Sequence, residues 1–233
     1  MNSRSMNGAS LVLRVLALFA MTASPTLAGP ELLCWPFDIG GAKSLPMGTS
    51  GWRAVEQDYD IKRLAGDTLG LLTPDAPVLV RMETLRRAVV YSKDDSAVSG
   101  DLLSRLQGRV HVAEKTGKPD SLADFDLGYF IEARRQASMI FKVMAPLKGL
   151  DGYALVTRAL GERGENPQME YAAALLARVR GLGVEWPAHL QKALEGAKAD
   201  QLLARNVVKH QAILPVPADS LAALGSTREL PAD

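Results

Sequence analysis

Apolar side chains recur at helical intervals along most of the chain beyond residue 57. In the stretch 73–92, Val78, Met82, Leu85 and Val89 repeat at offsets of four, seven and eleven, the spacing of one helical face. The β-branched runs around Val78–Val80 and Val89–Val90 would also suit strands. Glu83 stands three and four residues before Arg86 and Arg87, where a helix pairs opposite charges, and this favours the helix. Residues 57–72 place Ile61, Leu64, Ala65, Thr68 and Leu72 on one side, and residues 99–115 place Leu102, Leu103, Leu106 and Val110 together. A long helix is predicted from Ser121, with a stripe of Leu122, Phe125, Tyr129, Ala133, Ala137, Ile140, Phe141 and Met144. Leu127 and Ile131 add a second apolar side, which marks this helix as central to the packing. Three more helices are predicted over 151–163, 167–181 and 187–212, the last with a break near Gly196.

Punctuation residues support these limits. Asn166–Pro167 and Trp186–Pro187 read as starts, and Gly117, Gly164, Gly181 and Gly183 as ends. Asp75 is expected to cap the helix that follows Pro77, and Ser121 with Asp124 forms a variant capping box. The stretch 214–233 carries three prolines and little to bury, so it reads as a flexible tail. No convincing alternating strand pattern occurs. The expected fold is all-α: antiparallel helical hairpins in a compact bundle or short repeat-like stack, with a helical domain over 57–213.

The beginning of the chain follows a different pattern. Residues 1–28 hold Arg4 and Arg14 and no acid, and the uninterrupted apolar run covers only residues 15–23. Crossing a bilayer takes about 20 apolar residues, so this run is too short for an anchor. A basic start, a short apolar centre and small residues at Thr26 and Ala28 describe a secretory signal peptide cut before Gly29. A lipid-attachment signal would need a small residue directly before Cys34, and Leu33 stands there. The expected location is therefore secreted or periplasmic.

Residues 29–56 fit neither period. Between Cys34 and Trp52 the glycines free the backbone, the prolines fix it, and the aromatic side chains need somewhere to go. This irregular segment is expected to lie against the helical body, filling a groove. Cys34 is the chain's single cysteine, so no disulfide forms within the chain. Three readings stand: a buried apolar residue beside Trp35 and Phe37, a link to another molecule, or a reactive thiol.

The stretch 158–181, "RALGERGENPQMEYAAALLARVRG", resembles the tetratricopeptide repeat. Ala159 stands where that family keeps a small residue late in a second helix, and Pro167 stands where the next repeat begins. Ala173 and Ala174 match the tight-packing positions of a following first helix. Gly164 replaces the usual turn proline, and residues 142–150 lengthen the connection before the next helix. The run "PVLVRMETLRRA" is similar to segments of exported bacterial proteins, a likeness that carries no activity. The resemblance implies stacked hairpins with a groove that takes a protein or peptide.

Charge and chemistry narrow the function further. Removing Arg4 and Arg14 with the leader leaves 25 basic against 26 acidic side chains, a net charge of −1, and the basic pairs form no stripe for nucleic acid. His111, His189 and His210 fall in three different predicted helices, none with a second ligand at metal spacing. Asp58–Asp60, Asp94–Asp95 and Asp124–Asp126 lack the glycine turn and terminal glutamate of a calcium loop, and read as caps or solvated faces. No metal or cofactor is implied. Catalytic groups assembled from distant positions would not show in spacing. The sequence thus points to a non-enzymatic interaction module with an envelope protein or peptide as partner. Its candidate contact residues are Trp35, Trp52, Arg86, Arg87, Arg134 and Arg135. The alternatives are a redox-responsive or small-molecule protein centred on Cys34, or an enzyme without a recognisable motif.

Overall fold

The computed structural model describes residues 31–141 and 147–226. The expected leader (1–28) and Met144 lie outside these limits. Among the described residues the fold is all-helical, with no strand. A 3₁₀ turn at Ile61–Arg63 leads into α1 (Leu64–Leu71), followed by α2 (Val78–Tyr91), α3 (Ser96–Thr116), α4 (Ser121–Ile140) and α5 (Gly152–Arg163). Then come α6 (Pro167–Val179), α7 (Glu185–Ala197), α8 (Gln201–Lys209) and α9 (Ala218–Ser226).

Short polar side chains start most of these helices. Asp95, Asp120, Asp151, Asn166 and Asp200 each accept a backbone N–H of the first turn of α3, α4, α5, α6 and α8. Pro167 stands at the first position of α6, where its missing N–H costs nothing. Gly117, Gly164 and Gly181 follow helix ends with positive φ.

Two kinds of helix alternate. In α2, α4 and α6 nearly every residue is buried, on all sides. In α3, α5 and α7 only one stripe is buried: Ser99, Leu102, Leu106 and Val110, then Gly152, Val156 and Ala159, then Leu190, Ala193 and Ala197. Each hairpin pairs a buried helix with a one-stripe helix, α4 with α5 and α6 with α7, and α2 packs on α4 within the same core. The α4–α5 crossing is tight because it runs through two glycines: a Cβ on Gly128 would meet Gly152 O at 2.5 Å and Leu155 Cβ at 2.9 Å. A buried ion pair joins α2 to α4, with Arg81 Nη1 donating to both Asp126 oxygens at 2.9 and 2.7 Å and Arg109 of α3 adding a third bond. Burial pushes the Asp126 carboxyl up to about 6, against the pull of both guanidiniums.

Several expectations are corrected. The helix expected over 57–72 begins later, because Tyr59 turns to pack on the Tyr91 ring at 4.6 Å and Asp60 caps the 3₁₀ turn. Asp75 does not cap α2; Gln168 of α6 accepts the Leu79 N–H at 3.0 Å instead. Asp120, not Ser121, caps α4, and Asp124 pairs with Arg158. The helix expected over 187–212 is two helices, divided at 198–200 where Asp200 caps α8. The break expected near Gly196 is found there: Gly196 lies in the last turn of α7, which ends at Ala197, and Pro167 packs on it, leaving no room for a Cβ. The stretch 214–233 is not loose over its described part: Leu214 and Leu224 are buried, and α9 forms there. Asp126 is buried rather than solvated.

Candidate functional site

Residues 31–56 carry no helix or strand and run along a groove walled by α2 and α8 and floored by α4. Leu32, Leu33, Phe37 and Leu45 enter the core at 0–3 % exposure. Each such side chain stabilises the seated segment by about 1.5–3 kcal/mol relative to water, before the cost of ordering the chain.

A chain with no ladder partner must satisfy its backbone with side chains. Gln136 of α4 accepts the Leu32 N–H at 2.8 Å, Glu83 of α2 accepts that of Phe37 at 3.0 Å, and Asn206 of α8 accepts that of Asp38 at 2.8 Å. In the other direction, Arg86 donates to Leu33 O and Trp52 O, Arg87 to Leu45 O, Tyr91 to Pro46 O, and Asn206 to Asp38 O. Contacts therefore extend along nearly the whole segment.

Glu83 is the centre of this arrangement. It is fully buried and accepts from Arg86 Nε and Nη2 at 2.7 and 2.8 Å, from Arg87 Nε at 2.7 Å, and from Phe37 N. Burial pushes its pKa up, and the two guanidiniums outweigh that and hold it below the ordinary range. At the far end, His210 is fully buried between Tyr171, whose hydroxyl lies 2.8 Å from Nδ1, and Pro36 O, 3.3 Å from Nε2. The donors fit a neutral ring with the proton on Nε2, and burial lowers its pKa to about 4.

The candidate contact residues separate into two roles. Arg86 is corrected from surface to interior: it is 1 % exposed and fully engaged beneath the segment. Arg87 is engaged beside it. Arg134 is buried in α4, and its Nε has no hydrogen-bond partner among the described residues. Arg135 donates to Leu150 O at 2.6 Å, at the approach to α5 and away from the other pair. The structure does not gather the four arginines. Trp35, Trp52 and Cys34 do share the seated segment, each half-buried. Trp35 lies edge-on to His210 at 6.3 Å. Trp52 lies 6.3 Å from Phe141, and the exposed Arg53 stands over both rings, at 4.5 and 5.4 Å. Burial raises the Cys34 thiol pKa in spite of Arg53 and Arg86, so thiolate is scarce at neutral pH.

Elsewhere, a cleft of about 290 Å³ opens among the first turns of α2, α4 and α6 and the cap of α8, lined by Pro74, Asp75, Leu122, Arg163, Pro167 and Asp200. Its polar wall is committed to the framework, with Gln168 bridging Leu79 N and Asp200. Among the described residues no group of three His, Cys, Asp or Glu is placed to hold a metal ion, and no helix is long and apolar enough to cross a membrane. Folding does assemble one set of groups that spacing did not reveal: Glu170, His189 and Tyr153, from α6, α7 and α5, joined by hydrogen bonds. No protein family, curated protein or solved structure matches the chain.

Proposed function

We propose that the chain is an exported helical protein of the bacterial envelope, secreted or periplasmic, that docks an envelope protein or peptide. The partner meets the outer side of the seated 31–56 segment, because the groove beneath is already filled. The observation that carries this reading is the stack of Arg53 over Trp52 and Phe141. Tryptophan and arginine are the side chains that dominate protein interfaces, and here they sit on a rigidly anchored backbone beside half-buried Trp35. Arg86 and Arg87 act in this reading as anchors of the docking surface rather than as contacts.

A redox role for Cys34 is less well supported, since a reactive thiol needs a lowered pKa and burial raises this one. The test is capture from periplasmic extract by the mature chain, compared with Trp52→Ala and Arg53→Glu. A partner held by the wild type and lost from both variants supports the reading. A partner held equally by all three moves the docking surface elsewhere, and no enrichment in any condition removes the proposal.

A further inference from the structure

On the outer side of α5, α6 and α7, Glu170 Oε2 lies 2.5 Å from His189 Nδ1, and His189 Nε2 lies 3.0 Å from the Tyr153 hydroxyl. The three residues come from three helices and are separated by up to 36 positions in sequence. Glu170 belongs to the buried helix α6 and is 7 % exposed, so it is a fixed post. Its second oxygen accepts from Lys192 Nζ at 3.1 Å, and the Lys192 side chain remains mostly in solvent. Tyr153 and His189 are half-buried, so the hydroxyl end of the array reaches the surface.

The order of the groups decides the protonation. A carboxylate on Nδ1 takes its N–H, which leaves Nε2 as the acceptor of the Tyr153 proton. That is the geometry of a hydroxyl, a base and an orienting carboxylate. We propose that Tyr153 is a nucleophilic hydroxyl that accepts an acyl group from a neutral activated ester, with His189 as general base and Glu170 as the positioning carboxylate. Charges near the array are mixed, with Glu170 and Glu185 on one hand and Lys192 and Arg180 on the other, which favours an uncharged donor.

In the step, Tyr153 Oη bonds to the carbonyl carbon and the ester's C–O bond breaks. The phenolic proton passes to His189 Nε2, which delivers it to the departing oxygen, so the fragment leaves as the alcohol and the imidazole is again a free base. Water then attacks the tyrosyl ester, one of its protons going to neutral His189 Nε2 and from there to the Tyr153 oxygen as the acyl C–O bond breaks, so that the carboxylic acid and the Tyr153 hydroxyl are released. Burial, with Glu185 and Glu170 nearby, raises the Tyr153 pKa, so free phenolate is rare and proton transfer must accompany attack. This inference is independent of the docking surface on the 31–56 segment.

The experiment treats the full chain with p-nitrophenyl acetate, follows p-nitrophenolate release, and maps acetyl groups by mass spectrometry after rapid quenching. Tyr153→Phe removes only the hydroxyl, and His189→Gln keeps a hydrogen-bonding side chain but no base; circular dichroism checks that each is folded. Acetyl on Tyr153 in the wild type, with release about a hundredfold slower in both variants, is the expected result for general-base catalysis. Release unchanged in Tyr153→Phe, or Tyr153 acetylated no faster than Tyr59, would overturn the proposal and leave the array as a staple between three helices.

Discussion

The Phe37 backbone N–H donates to Glu83 Oε2 at 3.0 Å, so an irregular segment 46 residues away completes the coordination of a carboxylate buried in α2. The same carboxylate neutralises Arg86, whose guanidinium holds Leu33 O and Trp52 O. Glu83→Ala leaves that guanidinium buried without its counter-charge, which costs roughly 3–5 kcal/mol. Urea unfolding should show this loss. A midpoint within error of the wild type would mean that the network contributes little.

His210 makes stability depend on pH. Its folded pKa of about 4 lies below the ordinary 6.5, so between these values the unfolded chain binds the extra proton. Stability is therefore full above pH 6.5 and falls on acidification, by about 3 kcal/mol at pH 4 from this group alone. Asp126, raised to about 6, acts in the opposite direction over the same range, so the His210 contribution is read by difference: urea midpoints of His210→Asn should gain on those of the wild type as the pH falls from 7 to 4.

Two glycine substitutions should act in opposite directions. Gly128→Ala drives a methyl into Gly152 O and Leu155, and overpacking of this kind costs about 1–3 kcal/mol. Gly108, inside α3, has open space where its Cβ would be, and Gly108→Ala should stabilise by up to about 1 kcal/mol. Thermal unfolding of the two variants tests the close approach of α4 and α5.

Cys34 should behave as a covered thiol. Its half-burial and raised pKa predict labelling by a disulfide reagent at neutral pH more than about tenfold slower in the folded chain than in urea. Equal rates in both conditions would reopen a reactive role.

Helix existence and many helix ends were legible because local chemistry sets them. Asn166–Pro167 opens α6, and Gly117, Gly164 and Gly181 take positive φ after helix ends, as their spacing implied. Misreadings occurred where a distant partner decides. Asp75 lost its capping role to Gln168, and Asp126 is buried by Arg81 and Arg109. The Glu83–Arg86–Arg87 spacing correctly indicated a helix, but nothing in it showed that the charges would be buried under another segment. His189 looked solitary because Glu170 and Tyr153 join it only through the packing of three helices. Of the candidate contacts, Trp35 and Trp52 stayed near the surface, whereas Arg86 and Arg134 did not.

Native-state hydrogen exchange tests most directly whether residues 31–56 are a fixed part of the body. The Leu32, Phe37 and Asp38 amides each donate to a side chain of the helical body. They should exchange as slowly as the core amides of α2, through global unfolding only. Exchange of these three amides at the rate of a free peptide, with α2 still protected, would contradict the account.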